Sequence, residues 1–425
     1  MTTALLALLV AAAPGKLTID DALARAAAHP RMSEVRAAAG QASARVDEAR
    51  AGYLPSASAV ATYLPAQVDA GSGTASAIAA ARTSSSYSAG ILVTQPIWDF
   101  GRTRGQVRSA SLAEEASGSD LAAARKDVEL SVRTAYYGAL AAEELVHVAE
   151  DAEKQMQSHL ALAKASLEVG RRTPYDVARA EVDVANARIT RIQAESGVAA
   201  ARSALAAAIG EDIGQAPLER PAEGAAQDLA PDRAAELALA QRPELAAVDL
   251  RMSAQRAAVS AASSAWYPVV SAVGQVGLKA TDVGALSSAR SWQVGVVLTV
   301  PLLAGGGDAA RVREQQAGFA QLRSQRETLA LQVRADAEQA ALAVSEARSR
   351  QAASEVLVRQ AKDSLALAEG RYEAGVGSII ELSDAQAALT AARAQVVRAG
   401  YDLMSARARL ERSVGAPSAI GAVDR

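Results

Sequence analysis

The stretch Ser291-Trp-Gln-Val-Gly-Val-Val-Leu-Thr-Val-Pro-Leu-Leu-Ala-Gly-Gly306 decides how the chain is read. Up to Val300 it alternates: Trp292, Val294, Val296, Leu298 and Val300 share one face, and Ser291, Gln293, Gly295, Val297 and Thr299 the other. A period of two in a run rich in β-branched residues predicts a strand with one apolar and one mostly small or polar face. Pro301 ends it, and from there to Pro417 no proline occurs. That interval is rich in Ala, Leu, Glu, Gln and Arg, the strong helix formers. The segment therefore predicts a strand running into a very long helix.

Upstream the same change of character occurs once more. No proline falls between Pro96 and Pro174, so long helices are predicted over 103–167 and 311–369, each about 90 Å at ~1.5 Å per residue. In the second, Phe319, Leu322, Leu329, Val333, Ala337, Ala340, Val344 and Ala347 keep spacings of three, four or seven, the seam of a coiled coil. Between the helices, segments 53–100 and 266–305 hold eight of the fourteen aromatics, including every tryptophan. Weaker alternation over 56–63, 87–95 and 269–278 adds three strands. Gly-, Ser-, Thr- and Asp-rich stretches at 69–86 and 279–290 supply the hairpin loops. Two hairpins, hence four strands, are expected.

The two halves are one unit given twice. A constant shift of 205 places Gly170 on Gly375, Ala180 on Ala385, Leu205 on Leu410, Gly210 on Gly415, Pro96 on Pro301 and Gly101 on Gly306. Upstream of the strands the shift is 213, pairing Pro30 with Pro243, Tyr53 with Trp266 and Pro55 with Pro268. Loops absorb such length differences, so the extra residues belong to the hairpin loop. The resulting organisation is a first repeat at 14–213, a proline-bearing linker at 214–232, a second repeat at 233–415 and a tail at 416–425. The apolar run 4–13, ending Ala11-Ala12-Ala13 before Pro14, predicts a cleaved signal peptide over 1–13.

Composition narrows the function classes. Half the residues are hydrophobic but only 3% are aromatic, which suits thin, alanine-rich helical packing better than large cores. A net charge of -3 supplies no basic field for a phosphate backbone, so no nucleic-acid partner is expected. Without cysteine there is no disulfide frame, thiolate chemistry or Cys-ligated metal. The three histidines, His29, His147 and His159, form no metal-binding pattern, and His147 and His159 read as solvated helix positions. Gly305-Gly306-Gly307 lacks the Lys-Ser/Thr of a phosphate-binding loop and reads as glycines easing a strand into a helix. No catalytic constellation can be assembled, which predicts a protein that is not an enzyme and needs no cofactor or metal.

The junctions Gln95-Pro-Ile-Trp-Asp-Phe-Gly101 and Val300-Pro-Leu-Leu-Ala-Gly-Gly306, the turn Arg371-Tyr-Glu-Ala-Gly-Val-Gly-Ser-Ile-Ile-Glu-Leu-Ser-Asp-Ala385 and the doubled order of elements resemble the TolC family of outer membrane efflux proteins. The resemblance runs over nearly the whole chain. It implies a mainly α fold with a small β portion. Four strands per chain would enter a trimeric 12-stranded transmembrane β-barrel, continued into the periplasm by a long-helix coiled-coil barrel that closes at its tip. Physics asks for pooling of strands from several chains, since open sheet edges are not tolerated in lipid; the number three comes from the resemblance. The implied function is the exit duct of a tripartite efflux pump or type I secretion system. Its partners would be a periplasmic adaptor (membrane fusion) protein, an inner membrane transporter and outer membrane lipid, with the cargo left open. The alternatives are a periplasmic structural or adaptor coiled-coil protein that never inserts, and an enzyme on a helical scaffold.

The resemblance also places site residues. Glu381 and Asp384 match acidic residues that line the periplasmic entrance, Tyr372 a tyrosine of that entrance, and Asp176 an acidic latch position. Gly170 and Thr173, near 170–176, and Gly375 and Ser378, near 375–381, belong to the two tip turns that meet the adaptor. Gly377 stands where some relatives carry a basic latch residue, leaving Arg171, Arg172 or Arg371 to hold the closed state. Tyr53, Trp98, Trp266 and Trp292 fall at or near strand ends, as an interfacial aromatic belt requires.

Overall fold

The computed structural model describes residues 16–69, 82–221, 229–280, 290–303 and 305–416. The expected signal peptide over 1–13 lies outside them, as do residues 417–425. The elements run α1 (Ile19–Ala26), α2 (Pro30–Ala51), β1 (Ser56–Asp69), β2 (Arg82–Trp98), α3 (Arg102–Glu168) and α4 (Pro174–Ile209). There follow α5 (Pro231–Gln241), α6 (Pro243–Ser263), a 3₁₀ turn (Ser264–Trp266), β3 (Val269–Ala280), β4 (Arg290–Thr299), α7 (Gly307–Glu373) and α8 (Ile379–Val414). Both α3 and α7 have 67 residues and both α4 and α8 have 36. Each bound differs from its counterpart by 205, so the sequence shift is a structural one. The strands reach further into the hairpin loops than alternation foretold: Ser84 and Ser86, read as loop, pair with Gln67 and Leu64. A backbone ladder continues wherever its hydrogen bonds can be made, whatever the side-chain pattern.

The chain divides into two compact units. One, 37–119 with 246–327, contains the strands and the helical segments next to them. Its sheet is an antiparallel meander in the order β1-β2-β3-β4, with β2 and β3 joining the two repeats. Where β2 becomes α3, Phe100 and Gly101 both take positive φ, 53° and 87°; Gly305 and Gly306 do the same before α7 at 58° and 80°. Phe100 is the only such non-glycine among the described residues, and its ring is stacked 5.2 Å from Tyr267 and set edge-on 6.0 Å from Trp98. Aromatic contacts of this kind offset the left-handed backbone. The α3 terminus is then capped by Asp99, whose carboxylate accepts from Gly101 N–H at 3.1 Å and Thr103 N–H at 2.7 Å.

The other unit comprises 120–245 and 328–425 with the segment before 37. Its buried residues form three groups. In the first, α1 places Ala22, Leu23 and Ala26 against Val132, Tyr136 and Leu140 of α3 and Leu205 and Ile209 of α4. Leu17 there pairs in parallel with Leu218. The Tyr136 hydroxyl lies 2.7 Å from the Leu17 carbonyl and 2.6 Å from that of Glu219, and burial pushes its pKa up to about 12. The second group repeats this arrangement with α5, α7 and α8 through Ala234, Ala238, Val333, Ala337, Leu403 and Leu410. The third, Ala361, Leu365, Ala368, Tyr372, Ile379, Leu382, Leu389 and Ala392, binds α7 to α8. Much of the seam foreseen in α7 is buried, with Ala341 added between Ala337 and Val344.

Candidate functional site

Two regions gather the site residues, the tip turns and the sheet. At the first turn α3 ends on Gly170 at φ 75°, and Arg171 N–H returns to the Ser166 carbonyl at 2.9 Å. Glycine suits that left-handed position because it has no Cβ to clash. Thr173 then caps α4 and Pro174 takes the first helical position. The Asp176 carboxylate reaches back to Thr173, accepting from its N–H at 2.9 Å and its hydroxyl at 3.0 Å. Asp176 is thus occupied in a capping box of its own turn.

The second turn is built on the same plan with different side-chain assignments. Gly375 takes φ 80°, and Val376 and Gly377 N–H bond the Arg371 carbonyl at 3.0 and 2.8 Å. The Ser378 hydroxyl accepts from Glu381 N–H at 3.1 Å. The Glu381 carboxylate does not return to Ser378; it pairs with Arg371 at 3.0 Å. Asp384, one turn further, is exposed.

Arg172 joins the turns. Its guanidinium donates to the Gly377 carbonyl at 3.2 Å and to the Tyr372 carbonyl, and it lies 3.9 Å above the centre of the Tyr372 ring. A cation over an aromatic face adds to the two charge-assisted hydrogen bonds. Tyr372 is 3% exposed, and its hydroxyl finds no partner among the described residues. Burial raises the Tyr372 pKa against the lowering pull of Arg172. Gly377 admits no side chain: a Cβ there would sit 2.9 Å from Tyr372 N and 3.0 Å from Arg371 C and Cβ. Further along, the Ser383 hydroxyl donates to Asp183 at 2.6 Å, a second link between α4 and α8. Of the residues expected at the entrance, Tyr372 thus meets Arg172 and Gly377, Glu381 meets Arg371, and Asp176 and Thr173 meet each other.

One expectation is overturned. His159 is not solvated but 8% exposed; it lies 3.1 Å from Gln155 and 3.6 Å from Glu369 of α7. Burial lowers its pKa, with Glu369 pulling the other way. Only the tertiary partner Glu369, 210 residues away, makes this visible. His147 is solvent-exposed beside Glu150.

In the sheet, register sorts every strand into the same two faces. Trp292, Val294, Val296 and Leu298 stand opposite Val276, Gly274, Ala272 and Val270, and these stand opposite Ile91, Val93, Gln95 and Trp98. The other face carries Gln293, Gln275, Ser271, Thr94 and Ser56, with Gln293 bonded to Gln275 at 3.0 Å. A bulge between Pro96 and Trp98 brings Trp98 onto the apolar face, where strict alternation would have put Ile97. Gln95, also on that face, is satisfied by the carbonyls of Tyr53 and Pro96 at 2.9 and 2.8 Å. Tyr53, Trp98 and Trp266 sit at the helical end of the sheet and Trp292 toward the opposite end; all four are exposed. The sequence reading missed Tyr63 and Tyr87, which pair across β1 and β2 with rings stacked at 4.8 Å near the far end. Trp98 and Tyr87 share a face ten register steps apart, about 34 Å along the strand or about 26 Å in height at a ~40° tilt. That is close to the ~25 Å apolar band of an outer-membrane barrel. Neither β1 nor β4 has an outer partner strand among the described residues, so both edges are open.

Among the described residues no helix is long and apolar enough to cross a membrane, and no group of His, Cys, Asp or Glu could hold a metal. A family model described as outer membrane efflux protein matches residues 18–211 and 234–416. Outer membrane protein OprJ of Pseudomonas aeruginosa is 31% identical over 164 residues, 38% of this chain and 34% of OprJ, so the aligned part spans about a third of that relative. Outer membrane efflux protein BepC of Brucella suis is 24% identical over 336 residues, 77% of this chain and 71% of BepC. The solved structure of the outer-membrane channel OprN superposes with a TM-score of 0.80 at 21% identity, covering 94% of this chain and 90% of that one. With both repeats matched by the family model and the fold of a solved outer-membrane channel reproduced, the chain belongs to the outer membrane efflux protein family.

Proposed function

We propose that three copies of this chain pool their strands and helices into one duct, the passive exit channel of a tripartite efflux pump or type I secretion system. The observation that carries this is the four-stranded sheet: one face apolar but for Gln95 and Arg290, the other mostly small or polar, and both edges open among the described residues. Such a sheet is stable in lipid only when neighbours close it. The helices support the same closure. Along α4, Tyr175, Val182 and Ile189 recur every seven residues and are exposed. Along α7, Leu331, Leu342, Val356 and Leu367 are exposed at spacings of 11, 14 and 11. Both spacings keep one helix face, and a second copy of the chain covers each. Tyr53, Trp98, Trp266 and Trp292 then belong to the interfacial girdles. The tip turns, with Gly170, Thr173, Gly375 and Ser378, meet a periplasmic adaptor, and an inner membrane transporter supplies the cargo. Asp384 carries most of the entrance charge, since Arg371 already neutralises Glu381. No chemical step is assigned to the chain, because its role is passage.

Reconstitution in planar bilayers tests this reading. The refolded full chain should give discrete conductance steps and cross-link as a trimer. Val296→Arg, on the apolar face, should abolish insertion at a cost of ~2 to 4 kcal/mol, while Gln293→Arg on the polar face should insert and shift ion selectivity toward anions. Detergent-free solubility of the mature chain, with no conductance, would favour the adaptor-like coiled coil.

A further inference from the structure

The sheet carries its own rule for pairing. Moving β1 by 213 and β2 by 205, the two shifts of the repeat, turns every pair from Ser56↔Thr94 to Leu64↔Ser86 into a pair of β3 with β4, from Val269↔Thr299 to Gly277↔Ser291. The two hairpins therefore share one register. Between them runs a second kind of joint, β2 with β3, in which Thr94 meets Val273 and Ile91 meets Val276. The same shifts carry that joint onto the two open edges, β4 and β1, setting Thr299 against Val60 and Val296 against Tyr63. Thr299 and Val60 lie on the mostly polar face, Val296 and Tyr63 on the apolar one, so both faces continue across such a seam. A slip of one residue would set apolar against polar.

The end of β4 points to the same seam. Its counterpart β2 runs on past Thr94 through Gln95, Pro96 and Trp98, and these three pair with β3 alone, since β1 begins at Ser56 opposite Thr94. Their counterparts Val300, Pro301 and Leu303 lie past the end of β4 at Thr299 and have no strand beside them among the described residues. Leu302 and Leu303 are 92% and 93% exposed, more than any other large apolar residue described. By the rule of the β2–β3 joint, Val300, Pro301 and Leu303 belong opposite Ala59, Ser58 and Ala57. One detail is not copied. Gly90 and Gly277 oppose each other, and a Cβ on either would come within 2.6 Å of a facing carbonyl oxygen, whereas the seam sets Gly295 against Leu64. The strands there must stand at the ordinary ~4.8 Å.

We propose that β4 of one copy pairs antiparallel with β1 of a second copy in this register, Thr299 against Val60 and Val296 against Tyr63, with residues 300–303 drawn into the strand beside 57–59. This rests on the pooling of strands proposed above and goes beyond it in fixing which residues meet.

The test uses the full chain, which has no cysteine of its own, refolded in detergent. Val60→Cys is combined in turn with Val297→Cys, Thr299→Cys and Pro301→Cys, all on one face, and oxidised. Within one copy these positions lie on opposite edges of the sheet, ~14 Å apart and beyond the reach of a disulfide. Directly opposed residues of two copies are ~4.5 to 5.5 Å apart, and a slip of two adds ~7 Å along the strand. The Val60→Cys, Thr299→Cys pair should therefore give covalent oligomers at least fivefold faster than either flanking pair. Amide exchange on the unaltered protein is the second readout: segment 300–303 should exchange at least tenfold more slowly in the assembly than in the dissociated chain. Fastest cross-linking through Val297→Cys or Pro301→Cys, or equal exchange of 300–303 in both states, overturns the register while the pooling of strands stands. An unaltered chain that stays monomeric by native mass spectrometry overturns both.

Discussion

The two tip turns share a backbone and divide the labour. Thr173 and Asp176 of the first correspond to Ser378 and Glu381 of the second, and Arg172 corresponds to Gly377, all by the shift of 205. In the first turn the acidic residue closes the capping box. In the second it leaves the box for Arg371, which has Ser166 as its counterpart in the first repeat. Where one turn carries a long cation, the other has a glycine whose carbonyl receives it. A duplicated motif has thereby become a donor and an acceptor. The helices behind the turns differ in the same sense. The α7–α8 hairpin is held by an apolar group around Leu365, Leu382 and Leu389. The α3–α4 hairpin relies more on polar contacts, Arg191 with Glu153 at 2.6 Å and Lys164 with Glu181 at 3.2 Å.

The sharpest way to break this asymmetry is Arg172→Gly, which makes the first turn like the second. It removes two charge-assisted hydrogen bonds and the cation over Tyr372. At ~1.5 kcal/mol or more per bond, the fraction of time the tip is open should rise at least tenfold, read as single-channel conductance at low voltage. Tyr372→Phe is the control: its hydroxyl has no partner among the described residues, so the ring keeps the contact and conductance should stay as in wild type.

A smaller effect separates the two equivalent acids. Asp176→Asn should cost ~1 kcal/mol of local helix stability through the damaged box, seen as faster amide exchange over 173–177. Glu381→Gln should leave exchange at its own turn unchanged, because an ion pair this exposed contributes little. On the pore reading, carboxylates at the entrance should attract divalent cations that block conductance, and with Glu381 paired to Arg371 that block should belong mainly to Asp384. Asp384→Asn should therefore relieve the block more than Glu381→Gln does.

The smallest effect expected is on acidification. His159 in α3 has Ser364 as its counterpart in α7, so only the first hairpin carries this buried titrating group. Its folded pKa is lowered, so below the ordinary value of ~6.5 the unfolded chain binds protons that the folded chain does not. The stability of the α3–α4 hairpin should therefore fall as pH drops from about 6.5 through the lowered folded pKa. His159→Gln should flatten that slope, measured by amide exchange against pH.

How much could be read beforehand depended on the range of the interaction. Trp292 to Val300 were legible because alternation is a local property of an extended chain. The faces of β4 followed directly, and those of β2 did not, since one bulged residue at the Pro96–Trp98 step exchanges Ile97 for Trp98. Asp176 and Thr173 stand three residues apart and cap locally. Which arginine bridges the two turns within the chain depended instead on a carbonyl 205 residues away from Arg172. His159 looked solvated because its partner on its own helix, Gln155, is an ordinary polar neighbour, and Glu369 comes from α7.

By itself the sequence determined the doubled architecture, the two long helices, the four strands and the lack of any cysteine. Periodicity, proline placement and composition act over short stretches and survive without knowledge of what packs where. The tertiary structure alone decided that Glu381 is spent on Arg371, that Arg172 bridges the turns and that His159 is buried. Each depends on which distant helix a side chain meets, and that is set by packing rather than by any local pattern.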